Sequence, residues 1–162
     1  MDDKLLAWQS TLGYEFSDIA LLETAFTHSS YSNENRREQE DNERLEFLGD
    51  AILGAVISTL LYRAYPSERE GVLSSYRQTI VCEASLASIA CELHIGDMLR
   101  LGNGELQNDG RNKRSILADA VEAVGMVGLD LELDGNGRPR RECGSRDQDG
   151  NNALLSHGGI IP

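Results

Sequence analysis

Five carboxylates lie at helical spacing inside two otherwise apolar stretches. In DNERLEFLGDAILGAVISTLLYRAYP, residues 41–66, Glu43, Glu46 and Asp50 share one narrow sector of a helix turning about 100° per residue, and 51–61 carries no charge. In SILADAVEAVGMVGLDLEL, residues 115–133, Asp119 and Glu122 stand i, i+3 on one face among Ile116, Leu117, Val121 and Val124. A run of acids is ordinarily a solvated helix face, and that suffices for Glu43. Asp50 is different, because it separates Gly49 from a long apolar segment. An unpaired carboxylate buried there would cost on the order of several kcal/mol unless a cation or donor met it, so both readings of Asp50 stand. Two helices that each turn an acidic pair inward build a cluster of four: Glu46, Asp50, Asp119 and Glu122. Mutual repulsion then requires raised pKa values or divalent cations, and an all-oxygen donor set favours Mg²⁺ or Mn²⁺ over zinc. Such a cluster suits phosphoryl chemistry. The di-iron carboxylate bundles would need Glu-x-x-His pairs, and neither helix has one.

The elements that must position these acids are all helical by their periodicity. The helix over 41–66, capped by Asp41 or Asn42 and closed by Pro66, is the one around which the chain is organised. Gly49 and Gly54 each cost roughly 1 kcal/mol in a helix interior, which predicts close approach of another backbone or a substrate. Residues 3–12 predict a first helix ended by Gly13, and Ser17 or Asp18 caps a second that buries Ile19, Leu22, Ala25 and Phe26. His28 follows it as a structural hydrogen bonder. Residues 29–40, with Arg36 and Arg37, read as exposed loop or frayed helix. A long helix from Glu70 or Gly71, a break and a shorter helix place Leu73, Tyr76, Ile80, Val81, Leu86, Ile89 and Leu93 on a buried stripe. Gly96, Gly102, Gly104 and Gly110 mark a connection rather than a core element. Arg111, Lys113 and Arg114 precede Ser115, the expected cap of the second acidic helix, and offer either a phosphate contact or a solvated turn. No strand alternation or fixed repeat is present, so the fold class is all-α.

A chain of 162 residues, 40% hydrophobic and 26% charged, suits one domain. No uninterrupted apolar run approaches the roughly 20 residues of a membrane span. MDDKLLAWQS does not resemble a signal peptide, so a cytoplasmic protein without a membrane role is expected. Cys82, Cys91 and Cys143 form no CxxC pair and no zinc spacing with His28, His94 or His157. The net charge of −12 excludes a protein that holds nucleic acid by bulk attraction. It leaves open a nuclease whose metal ions supply the positive charge.

NERLEFLGDAIL resembles the signature helix of the ribonuclease III family. LGYEFSDIALLETAFTHSSY before it, and EGVLSSYR, LRLGNGE and SILADAVEA after it, resemble that family's further motifs in order, from about Leu5 to Ala123. The resemblance implies the family's helical endonuclease fold, with Glu46, Asp50, Asp119 and Glu122 as metal-binding catalytic acids. It also implies Glu43 and Glu70 as secondary acids of a catalytic valley, and Phe47 as the aromatic that packs into the partner of a homodimer. The implied reaction is Mg²⁺-dependent hydrolysis of double-stranded RNA to 5′-phosphate and 3′-hydroxyl ends, as in rRNA and mRNA processing, with no small-molecule cofactor.

Bacterial members add a double-stranded-RNA-binding domain, which does not follow here. After Ala123, Gly125 and Gly128 weaken the helix, and residues 134–162 offer little to bury. The expected organisation is therefore a catalytic domain over 1–133 and an irregular tail over 134–162. The alternative to an active endoribonuclease is a dimerising scaffold of the same fold that cuts little or not at all.

Overall fold

The computed structural model describes residues 2–35 and 40–129, so the tail expected over 134–162, Cys143, Arg36 and Arg37 lie outside the described residues. The elements are α1 (Asp2–Leu12), α2 (Ile19–Ala25), α3 (Ser29–Glu34), α4 (Glu43–Ala64), α5 (Glu70–Ile80), α6 (Glu83–Glu92), α7 (Ile95–Met98), α8 (Asn103–Gln107), a 3₁₀ turn (Gly110–Asn112) and α9 (Arg114–Gly128). Among the described residues the chain is helical throughout, apart from a single parallel bridge between Thr27 and Arg100.

Local chemistry explains the first elements. Gly13 ends α1 by taking φ +67, a conformation glycine adopts without steric cost. Asp18 caps α2 by accepting the Leu21 N–H at 2.8 Å. Trp8 then sits edge-on to Phe26 at 5.1 Å, with its indole N–H donating to Leu93 O at 2.7 Å. Around that pair Leu5, Phe16, Leu22, Ile95, Leu99, Ile116 and Leu117 close the core. Each large side chain so buried contributes roughly 1.5–3 kcal/mol.

The buried hub is α9, not the helix over 41–66. α9 buries Ile116, Leu117, Ala118, Ala120, Ala123 and Val127, whereas α4 buries only Gly49 and Leu61. α4 packs on α9 by one face and on α5 by another, which leaves Phe47, Leu48, Val56, Leu60 and Tyr62 exposed. At 22 residues and mean hydropathy 1.6, α4 is also long and apolar enough to cross a membrane by length and composition, which the count of uninterrupted apolar residues missed. Its charges are confined to its two ends, and the Gly49 face is seated on protein.

Other expectations are decided or changed for similar reasons. Of the two readings expected for residues 29–40, loop or frayed helix, residues 29–34 take the helical one as α3, because the His28 ring accepts the Ser30 N–H and caps the turn. The stripe on α5 is not buried in this chain: α5 has no buried residue, and Tyr76, Ile80, Ile89 and Leu93 are exposed, while Leu86 is buried. The glycine-rich stretch belongs to the core, since Ile95, Met98, Leu99 and Leu101 are buried there. Glu34 staples it to α3 by accepting the N–H groups of Asn103 at 2.8 Å and Gly104 at 3.3 Å. α9 starts one residue before Ser115, with Lys113 at its N-cap position. It also runs through Gly125 to Gly128, where Phe16 packs on Gly128 and Tyr14 donates to the Gly128 carbonyl at 2.7 Å. Tertiary contacts thus outweigh the helix-weakening glycines.

Candidate metal centre

The axial contact of α4 with α9 brings the two acidic sets together. Gly49 lies directly against the backbone of Glu122, and a Cβ at position 49 would collide with the Glu122 carbonyl oxygen. Gly49 therefore answers to the neighbouring helix of its own chain rather than to a second copy of α4. Gly54, by contrast, meets nothing within 4 Å. One turn before Gly49 and at the same level of α9, Glu46, Asp119 and Glu122 each present one carboxylate oxygen, all within 4.8 Å of one another. Opposite oxygens around Mg²⁺ stand roughly 4 Å apart, so small rotations of half-buried side chains would close this set on a single hard cation.

The electrostatics match a site built for positive charge. Burial pushes the Glu122 carboxyl up from its ordinary 4.5, and the charges of Asp50, Glu46 and Asp119 add to bring it to about 7. Glu46 is raised by burial, then by Asp119, Glu43 and Asp50. Asp119 is raised by burial and by Glu83, with His28 pulling the other way. Half-buried acids raised first by burial and then by one another's charge form a cluster that a cation would stabilise.

Each residue singled out from the sequence has a definite place. Asp50 is exposed and stands outside the compact trio, though its charge acts on Glu46 and Glu122. Glu43 is exposed on the first turn of α4 and acts on Glu46. Glu70 opens α5, where its carboxylate accepts the Ser74 hydroxyl at 2.6 Å, and it is not among the charges that shift the trio. Phe47 projects from α4 with 79% of its surface exposed. The basic group divides: Arg111 donates to the carbonyls of Gly96, Asp97 and Leu99, Lys113 pairs with Glu105 at 3.4 Å, and Arg114 is exposed. His28 and Glu83, which carried no signal of function in the sequence, enter through their charges on Asp119.

A family model described as Ribonuclease-III-like matches residues 18–131. The chain belongs to the ribonuclease III family. Ribonuclease 3 of Borreliella afzelii is 51% identical over 128 residues, 78% of this chain and 52% of that protein. Ribonuclease 3 of Shewanella amazonensis is 55% identical over 125 residues, 76% of this chain and 53% of that protein. The chain thus spans about half the length of the curated relatives it matches. Among solved structures, the nuclease domain of ribonuclease III from Campylobacter jejuni superposes with a TM-score of 0.69 at 41% identity, covering 75% of this chain and 82% of that one. That domain is described for structural flexibility in a region involved in dimer formation. This ribonuclease III family member therefore carries its acidic trio on a helical nuclease-domain fold.

Proposed function

We infer that this chain is a homodimeric, cytoplasmic endoribonuclease that uses Mg²⁺, with Mn²⁺ as a substitute, to hydrolyse phosphodiesters of double-stranded RNA. The observation that carries this reading is the convergence of Glu46, Asp119 and Glu122 from two helices within 4.8 Å. The donor set fits the cation: only carboxylate oxygens, half-buried, with no histidine or cysteine in the group. Glu46, Asp119 and Glu122 would hold the ion, and the exposed Asp50 would add its charge to theirs. Bound there, a divalent cation supplies charge neutralisation and Lewis acidity.

The chain's own residues do the rest. α4 and α9 keep the carboxylates oriented before the metal arrives, so little reorganisation remains at the reacting phosphate. Burial and the charges of Asp50, Glu46 and Asp119 push the Glu122 carboxyl up to about 7, so a cation bound there would compete with its proton. In the reaction, water oxygen attacks phosphorus, the bond to the 3′ oxygen breaks, and a proton given up by the water ends on that 3′ oxygen. That leaves a 5′-phosphate and a 3′-hydroxyl. A-form RNA is read by shape and by 2′-hydroxyl and phosphate contacts, a mode compatible with a chain of net charge −12.

An exposed aromatic supports the dimer. Phe47 is 79% exposed on α4, on the side of the helix turned away from Gly49, Ile52, Leu53 and Val56, which line a cavity of about 240 Å³ with α9. Burying Phe47 against a second copy would take its ring out of water. The test is cleavage of long double-stranded RNA with Mg²⁺ at low salt, beside Glu122→Ala. Cutting that disappears in the variant supports the enzyme. A folded dimer of the unmutated chain that cuts nothing leaves the scaffold reading in its place.

A further inference from the structure

A second connection between the two acid-bearing helices runs through main-chain hydrogen bonds rather than through their carboxylates. α4 starts at Asn42, which is 2% exposed and does not cap its own helix. Its backbone N–H donates to Thr27 O at 2.8 Å and its Nδ2 to Ala25 O at 3.3 Å, while its carbonyl accepts the N–H of Glu46 at 2.8 Å. The strip between α2 and α3 is thereby bonded to the turn that carries Glu46. The other edge of that strip is bonded as well. Arg100 N–H donates to Phe26 O at 2.8 Å, and His28 N–H to Arg100 O at 3.1 Å.

One residue before Arg100, the carbonyl of Leu99 accepts from the Arg111 guanidinium at 3.0 Å, and the same nitrogen reaches Gly96 O at 2.7 Å. Arg111 lies in the 3₁₀ turn that leads straight into α9. Hydrogen bonds joined by one- to three-residue steps of backbone therefore connect the first turn of α4 to the start of α9, and the Gly49 contact closes the frame from the far side. Arg111 is half-buried, and its Nη1 donates to the main-chain carbonyls of Gly96, Asp97 and Leu99. Its charge is thereby held on the main chain by charge-assisted hydrogen bonds.

We propose that Asn42 and Arg111 are the two ends of one hydrogen-bonded bracket, positioning residues that hold the acids of α4 and α9 in register. Its consequence for metal binding rests on the function proposed above; the bracket itself does not. Arg111 is on this account no phosphate contact.

Hydrogen exchange on the metal-free full chain tests the coupling. Arg111→Met removes the guanidinium while keeping an apolar stem. It should speed exchange at the remote amides of Asn42 and Glu46 by roughly fivefold or more, as well as near α9. Asn42→Ala should do the same at Leu117, whose amide donates to Lys113 O. Arg111→Lys, which keeps the charge, serves if the methionine variant does not fold, and should give a smaller rise at the same remote amides. Exchange that changes only at the mutated end overturns the bracket. Mn²⁺ uptake, followed by electron paramagnetic resonance, should weaken about tenfold in both variants, with the salt dependence of double-stranded RNA binding unchanged in Arg111→Met. A salt slope reduced by roughly 0.7–0.9, with α4 exchange unaltered, makes Arg111 a phosphate contact and overturns the proposal. If the unmutated chain takes up no Mn²⁺, the metal-centre reading falls, and the exchange rates still decide the bracket.

Discussion

Gly49 of α4 and Glu122 of α9 meet backbone to backbone, so close that any side chain at position 49 would occupy the space of the Glu122 carbonyl oxygen. This contact sets the distance between the helices at the level of the acidic trio. Gly49→Ala must push α9 away, because the obstacle is main chain and cannot rotate aside. The expected loss is about 1–3 kcal/mol of stability, read by urea denaturation. Mn²⁺ affinity should fall with it, since Glu122 moves with its own backbone.

Removing one charge from the trio should have opposite effects on stability and on function. Glu122→Gln keeps the shape and relieves the repulsion from Asp50, Glu46 and Asp119. Thermal denaturation without metal should show a higher Tm than the unmutated chain. Cleavage of double-stranded RNA should drop by about 10²-fold or more. A lower Tm would show that the cluster is not under strain.

The raised pKa of Glu122, set first by burial and then by the acids around it, gives the metal-free protein a defined pH dependence. The folded pKa of Glu122 is raised, so the folded state binds the proton more tightly than the unfolded chain does. Stability is greatest below the ordinary value of 4.5 and is lost as pH rises toward about 7. Tm measured in chelator should therefore fall across that window. Mg²⁺ should restore it at the upper end, because the cation replaces the proton as counter-charge.

Phe47 is expected to anchor the dimer. Truncating a central aromatic of an interface typically costs 2 kcal/mol or more, roughly a thirtyfold weaker Kd. Sedimentation of Phe47→Ala should show dissociation at concentrations where the unmutated chain is dimeric. Because Phe47 is 79% exposed in the single chain, the monomer's own Tm should hardly change. An unaltered dimer would place the interface elsewhere.

Much of the candidate site was legible in the amino-acid order. Charges at i, i+3 and i, i+4 in apolar helices must share a face, so the acidic pairs of α4 and α9 follow from helix geometry alone. The helical class, the Asp18 cap and the Gly13 stop follow from equally local rules. Reading by composition left a choice open or failed where polar or glycine-rich segments find partners. α3 is ordered by the His28 ring, and the stretch from Ile95 to Gly110 is drawn into the core by four apolar side chains separated by too few residues to show a period. It failed in the other direction on α4 and α5, whose apolar stripes remain exposed within one chain.

What the sequence determined by itself was which carboxylates face together along each helix, because that depends only on the turn of the backbone. What tertiary structure alone decided was which of them come within reach of one ion. Glu46, Asp119 and Glu122 converge while Asp50 stays at the solvent edge, because the distance between helices is set by Gly49 against Glu122, a packing contact with no period to reveal it. Arg111 makes the same point: its charge was visible in the sequence, but only the fold turned that charge onto three carbonyl oxygens.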